Sequence, residues 1–233
     1  MIDFHSHILP EIDDGSDSIE TSLAMLRESR RQGVDLICAT SHFYADEDDP
    51  ASYLARRNHA YARLRAAMGD SKEYPEIRLG AEILYFPGIS VAEEMRGLIL
   101  ERTPFLLVEP PMMPWSEEML DEVELCGETL SCIPVIAHID RYMRLLNDYT
   151  LFDRVKDRRL LIQVNASFFV HHDTRDFALE CLREGRIHFM GSDCHNMGSR
   201  RPNMGHAAQV IRHAGEARIF SDFQERVYRV FGN

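Results

Sequence analysis

The chain predicts an α/β fold built on a parallel sheet, and three observations carry that expectation. Seven short apolar runs alternate with stretches of helical periodicity. Most of the runs are rich in Val, Ile, Leu and Phe throughout, as strands buried on both faces are. No repeat, low-complexity tract or Pro/Gly/Ser linker breaks the alternation, so residues 1–233 read as a single domain. Such alternation implies right-handed crossovers. Seven parallel strands fit a closed or nearly closed, TIM-like barrel better than an open doubly wound sheet, which is the alternative.

In order, the first strand is Ile2–His5, followed by a helix over Ile19–Gln32 that stops at Gly33. Val34–Thr40 is the second strand, with Ser52–Met68 as its helix. Ile77–Leu84 is the third, with Val91–Leu100 helical behind it. Phe105–Glu109 and Pro134–His138 are the fourth and fifth strands, each followed by a helix, at Glu117–Ser131 and Phe152–Arg158. Leu160–Asn165 is the sixth, and its helix Thr174–Glu184 stops at Gly185. Ile187–Ser192 is the seventh, and two helices near Met204–His213 and Ser221–Val230 complete the chain.

Composition excludes several classes. No apolar run approaches the roughly 18 residues needed to span a bilayer, and the N-terminus lacks the basic and apolar regions of a signal peptide. The five cysteines, Cys38, Cys126, Cys132, Cys181 and Cys194, are odd in number and form no C-x-x-C pair. Free thiols in a reducing, cytoplasmic setting are therefore expected. A formal charge of −12 argues against nucleic-acid binding.

The chemistry sits where the strands end. The first strand ends in His5 and His7, spaced so that two imidazoles share a face. His42 follows the second strand, Glu82 lies in the third, Glu109 closes the fourth and His138 the fifth. The seventh runs into Ser-Asp-Cys-His, placing Asp193 and His195 at the same i, i+2 spacing, and Asp14 lies in the Asp-Asp-Gly turn after the first strand. In β/α barrels the C-terminal strand ends converge. These nine residues then meet at one rim. Mixed imidazole and carboxylate donors suit Zn²⁺, Mn²⁺ or Fe²⁺. Nine are too many for one ion. Glu82 and Glu109 lie in otherwise apolar strands, where an unpaired buried carboxylate is costly. Asp14 is the weakest of the set, because Asp-Asp-Gly is commonly only a turn. His59, His188, His206 and His213 fit helix or strand interiors, whereas His171 and His172 reach the rim after the sixth strand.

The combination of His5 with His7, Thr40-Ser41-His42, Gly80-Ala81-Glu82, His138, and Asp193 with His195 resembles the PHP (polymerase and histidinol phosphatase) superfamily. Phe4 to Pro10 running into Asp13-Asp14-Gly15, His138 to Tyr142, and Ser192 to Asn196 followed by Arg200-Arg201-Pro202 narrow it further. Together they are similar to the bacterial manganese-dependent protein-tyrosine phosphatases of capsule and exopolysaccharide operons. The resemblance implies a distorted (β/α)7 barrel holding two to three divalent ions, manganese with iron or zinc as alternatives. It places His5, His7, Glu82 and Asp193 on one ion, and Glu82, Glu109 and His138 on a second. Asp14, His42 and His195 fall on a third. It also implies a substrate, the phosphotyrosine-bearing tail of a bacterial tyrosine autokinase, and a role in controlling polysaccharide synthesis. One departure is Asp140, where relatives often carry Glu.

The expected chemistry follows. Metals lower the pKa of a bridging water, and the hydroxide attacks phosphorus in line. Arg141, three residues after His138, and Arg200, five after His195, offer guanidinium forks for phosphate, with Arg201 a weaker candidate. A phenol leaves with a pKa of about 10, so protonation of the leaving group matters little. Asp193 and His195 stand nearest to serve if it is needed. A rival lies in Cys194-x5-Arg200, the spacing of cysteine-dependent tyrosine phosphatases. Asp193 beside the thiol disfavours a thiolate, and an extended backbone turns Cys194 away from the metal-facing pair. Three further readings stand: a small-molecule phosphomonoesterase of the histidinol-phosphatase type, a metal-dependent amidohydrolase, and a non-catalytic metal-binding regulator.

Overall fold

The apolar runs become short parallel strands: β1 (Ile2–Ser6), β2 (Leu36–Ala39), β3 (His42–Phe43), β4 (Glu76–Leu79), β5 (Glu82–Leu84), β6 (Phe105–Glu109), β7 (Ile133–Ile136), β8 (Leu161–Asn165) and β9 (Phe189–Gly191). The computed structural model describes residues 1–232. Hydrogen bonding groups the strands as β1-β2-β4 and β3-β5-β6-β7-β8-β9. The two groups are successive parts of one curled wall. β3 continues β2 after Thr40-Ser41, and β5 continues β4 after Gly80-Ala81. The expected strand Ile77–Leu84 is therefore interrupted in the middle, whereas Val34–Thr40 forms as β2 and its continuation β3 lies beyond the expected end.

The wall closes on itself where β9 meets β1. The Asp193 N–H donates to the His5 carbonyl at 2.8 Å, and the His7 N–H to the Cys194 carbonyl at 2.9 Å. With the two continuations merged, the nine strands give the seven-stranded barrel that the sequence predicts. Gly191 allows this closure, because a Cβ there would meet His5 Cβ at 2.5 Å.

The helices are α1 (Ile19–Arg31), α2 (Pro50–Met68), α3 (Glu117–Thr129), α4 (Ile139–Leu145), α5 (Leu151–Val155), α6 (Ser167–Val170), α7 (Arg175–Arg183), α8 (Met204–His213) and α9 (Ala217–Val230). Ser18, Asp49 and Ser116 cap α1, α2 and α3 by accepting from the N–H groups of Thr21, Ser52 and Met119. The α-helix expected over Val91–Leu100 is instead two 3₁₀ stretches, Ile89–Val91 and Glu93–Leu98. Gly97 in the second lowers its helical propensity. Helices α4 and α6 are not apparent in the sequence. Each follows a strand immediately and is too short to show a period. No helix among the described residues is long and apolar enough to cross a membrane.

One irregularity decides what faces inward. Asp3 pairs with Ile37 and Ser6 with Ala39, so β1 holds one residue more than β2 over that span. Such a bulge lets chain neighbours point to the same side. Phe4 stacks on Phe189 with ring centroids 4.0 Å apart and meets Phe105 edge-on. These rings, with Phe231, fill the N-terminal end of the barrel. His5, the next residue, points into the polar pocket at the other end, where its Nε2 lies 3.0 Å from Glu82 Oε2.

Candidate metal centre

All nine residues expected to bind cations converge at the C-terminal ends of the strands. Their donor atoms fall into four overlapping groups, each within 4.8 Å: His5-Glu82-His138, His5-His7-Asp193, His42-Glu82-Glu109 and His7-Asp14-His42-His195. Register explains part of this. His42 on β3 lies directly beside Glu82 on β5, and its Nδ1 is 3.1 Å from Glu82 Oε2. Glu82 is wholly buried and central, with His138 Nε2 2.7 Å from its other oxygen. Asp14, the most exposed of the nine, brings Oδ1 within 3.3 Å of His195 Nε2 and 3.6 Å of His42 Nε2. These groupings share members more widely than the three ligand sets implied by the resemblance. His42 faces Glu82 and Glu109 on one side and Asp14 on the other.

Backbone strain gathers here as well. His138 (φ +27°) and Asp193 (φ +52°) hold positive φ that non-glycine residues seldom adopt.

The surrounding residues orient the donors, and sequence reasoning did not find them. Gln163 Oε1 lies 3.1 Å from His5 Nδ1 and accepts from the His138 backbone N–H at 2.7 Å. Gln163 donates to Asn165, and Asn165 donates to Asp193 Oδ2 at 3.0 Å. Asp140 accepts the Asn165 N–H at 2.8 Å. Strand β8 thus supplies no candidate ligand, yet it positions groups on three other strands. Asp13 acts similarly. Its carboxylate lies 2.7 Å from His7 Nδ1 and accepts from the His42 and Gly15 N–H groups. With Nδ1 of His5 turned to Gln163 and Nδ1 of His7 to Asp13, each Nε2 faces the pocket, the usual arrangement of a metal-binding histidine, and a bound cation would displace any proton held on Nε2. Gly15 must be a glycine for this turn to close, since a Cβ would meet His7 Cβ at 2.5 Å.

The electrostatics fit cations. Burial alone would raise the carboxyls of Glu82 and Asp193. His5 and His138 around Glu82, and His5 and Arg141 around Asp193, instead hold both well below the usual carboxylate range. Burial opposes charge on His7, but Asp13 and Glu82 override it and lift His7 to about 10. Burial and the neighbouring His7 push His195 down to about 3, so it is neutral. His195 Nε2 and His42 Nδ1 are buried beside carboxylate oxygens, 3.3 Å from Asp14 and 3.1 Å from Glu82, but not aligned for a hydrogen bond with any described residue. Neutral imidazole nitrogens without partners, facing ionised carboxylates, are a donor set that divalent cations satisfy.

Two arginines overhang the pocket as expected, whereas Arg201, the weaker candidate, pairs with none of the nine donors among the described residues and lines the cavity outside them. Arg141 donates to Asp193 Oδ2, and its Nη1 lies 3.6 Å from Glu109. Arg200 Nη2 donates to Asp193 Oδ1 at 2.9 Å, with Nη1 3.5 Å from Asp14. Cys194, between Asp193 and His195, is fully buried, and burial together with Asp3 raises its thiol well above the ordinary range. It belongs to none of the donor groups and does not line the cavity, and its environment disfavours a thiolate. All five cysteines are free and buried. His171 lines a cavity beside the pocket. His188 Nδ1 accepts the Ile162 N–H in the framework.

Known proteins point the same way. Tyrosine-protein phosphatase CpsB of Streptococcus agalactiae is 30% identical over 246 residues, covering 100% of this chain and 99% of the relative. Tyrosine-protein phosphatase YwqE of Bacillus subtilis is 28% identical over 221 residues, covering 91% and 84%. A solved structure from work on YwqE of Bacillus subtilis and CpsB of Streptococcus pneumoniae, described as metal-dependent tyrosine phosphatases, shares the fold. It matches with a TM-score of 0.86 at 24% identity, covering 100% of this chain and 95% of that one. The family model for capsular polysaccharide synthesis, CpsB/CapC, matches residues 1–226, and the chain belongs to that family.

Proposed function

We propose that this chain is a metal-dependent protein-tyrosine phosphatase acting on the phosphorylated tail of a bacterial tyrosine autokinase, and so on capsular or exopolysaccharide synthesis. One observation supports the reading above others: nine imidazole and carboxylate donors meet beside two arginines in a single pocket. The names of the streptococcal and Bacillus relatives supply the substrate class.

His5, His7, Glu82 and Asp193 would hold one ion, Glu82, Glu109 and His138 a second, and Asp14, His42 and His195 a third. Bound there, two to three divalent ions, manganese with iron or zinc as alternatives, supply hydroxide near neutral pH and neutralise charge on the phosphoryl group. Arg141 and Arg200 present guanidinium donors to the phosphoryl oxygens. Both are held beside the pocket by Asp193 before substrate arrives. Asn165 also donates to Asp193, so the carboxylate would keep a partner if phosphate drew the arginines away. His195 and Asp193 are both unprotonated at neutral pH. That state supports reading both as ligands in the site. The tyrosyl phenolate, with a conjugate-acid pKa of about 10, leaves without a protonated side chain.

The test is elemental analysis of the purified protein, with rates on a phosphotyrosyl peptide and on histidinol phosphate before and after EDTA. About two to three divalent ions per chain are expected, with peptide turnover lost on chelation and restored by Mn²⁺. Faster turnover of histidinol phosphate would favour the small-molecule reading. Metal-free protein with undiminished turnover would contradict both.

A further inference from the structure

A groove of about 930 Å³ opens from the pocket at Asp193, between α4 and the segment joining β9 to α8. Of the arginines lining it, Arg31 is taken up by Glu28, and the other four form two pairs, inner and outer. The inner layer, Arg141 and Arg200, is tied to Asp193. The outer layer is Arg144 and Arg201, each close in the chain to an inner partner and lining the same groove. Arg144 sits one turn along α4 from Arg141, on the same face. Arg201 follows Arg200 in the chain and lines the same groove.

The outer layer is held only weakly within the protein. Among the described residues the Arg144 guanidinium makes no hydrogen bond, and its one ion pair, to Asp173 at 3.8 Å, joins two solvent-exposed side chains. Arg201 has no ion-pair partner among the described residues. Glu28, the acid close enough to feel its charge, is already held by Arg31 at 2.7 Å. Leu145 and Tyr149, 63% and 51% exposed, supply apolar surface on the same wall. A phosphomonoester of a small alcohol would end at the inner arginines. The groove continues past them with cations and apolar side chains, which suits an extended polypeptide.

We infer that Arg144 and Arg201 form a subsite for acidic side chains flanking the phosphotyrosine of the substrate polypeptide. This inference rests on the phosphatase reading. The net charge of −12 gives it a physical purpose. An acidic, phosphorylated segment is repelled by the molecule as a whole and needs local cations along its path. Exposed ion pairs are weak and salt-sensitive, so the subsite tunes specificity and capture and leaves the chemical step alone.

The experiment uses Mn²⁺-loaded protein and three phosphotyrosyl peptides, with Glu, Gln or Lys at the flanking positions, alongside p-nitrophenyl phosphate. The acidic peptide is expected to exceed the neutral one in kcat/KM by roughly 5- to 20-fold at low salt, through KM. That preference should vanish in the Arg144→Glu/Arg201→Glu variant and shrink as salt approaches about 0.5 M. Turnover of p-nitrophenyl phosphate should stay the same in the variant. Equal use of acidic and neutral peptides by the parent, or an equal loss on p-nitrophenyl phosphate in the variant, would overturn the subsite. Anisotropy of the same labelled peptides separates this from failure of the phosphatase reading. If no substrate turns over, that reading falls, and the flank preference in binding still decides the subsite.

Discussion

Gln163 Oε1 lies 3.1 Å from His5 Nδ1, so a side chain of β8 fixes the ring of a candidate ligand on β1. The same oxygen accepts the His138 N–H at 2.7 Å. Gln163→Leu removes both contacts within a fully buried setting. Mn²⁺ affinity should fall about 10- to 100-fold, as when orienting partners of metal ligands are lost. Unfolding should cost about 1–3 kcal/mol less, because two donors lose their acceptor. Metal titration and denaturant unfolding check both, and unchanged Mn²⁺ affinity would show that His5 needs no such support.

Asp13 is expected to behave similarly through His7 and the turn carrying Asp14. Its carboxylate lies 2.7 Å from His7 Nδ1 and accepts the His42 N–H. Asp13→Ala should weaken metal binding by about 10- to 100-fold. Asp13→Asn, which keeps an acceptor oxygen, should lie between the alanine variant and the parent. Competition with a chromogenic chelator ranks the three proteins, and a different order counts against the orienting role.

Arg200→Ala and Arg141→Ala test the phosphate contact. Each loses a charged hydrogen-bond donor, a change of about 1.5–3 kcal/mol, so kcat/KM on a phosphotyrosyl peptide should drop by about 10- to 100-fold. The metal content of both variants should match that of the parent. Loss of metal together with activity would make the arginines structural partners of Asp193 instead.

Asp3 gives a pH dependence with a definite sign. Burial pushes its carboxyl up to about 6, although the Ser192 N–H donates to it at 2.8 Å. Between the unfolded value near 3.9 and this folded value, the native state binds the extra proton. Stability contributed at this position therefore falls as pH rises through that window. Asp3→Asn removes the dependence. Its stability relative to the parent should improve by about 1 kcal/mol from pH 5 to pH 8. Urea unfolding of the EDTA-treated pair at the two pH values measures it. A difference that stays constant, or changes in the opposite direction, would refute the buried-acid assignment.

Cys194→Ser separates the two phosphatase chemistries. The thiol is buried, lies outside the cavity lining, and is disfavoured as a thiolate. The variant should keep most of its peptide turnover and all of its EDTA sensitivity. Abolished turnover in a folded, metal-loaded Cys194→Ser protein would revive the thiolate route.

Much of the site is legible in the sequence because metal donors announce themselves. His5 with His7 and Asp193 with His195 repeat one spacing at two strand ends. Glu82 and Glu109 stand out as carboxylates within apolar runs. The orienting residues carry no such mark. Gln163 and Asn165 read as ordinary polar positions in a strand, and their role depends on which strands close beside them. Asp13 was hidden by its neighbour, since Asp-Asp-Gly drew attention to Asp14 alone. The fold shows the same division. The strand–helix alternation was readable, whereas the breaks at Thr40-Ser41 and Gly80-Ala81 were not. Neither was the bulge in β1, because register and curvature arise from pairing between distant segments.

The most direct measurement is anomalous diffraction at the manganese edge from crystals grown with Mn²⁺. If the barrel mouth is the catalytic metal centre, strong peaks appear between Glu82, Asp193, His138 and His195, within bonding distance of the nine donors. Peaks confined to other surfaces, or none in that pocket under conditions where the protein hydrolyses phosphotyrosine, would contradict it.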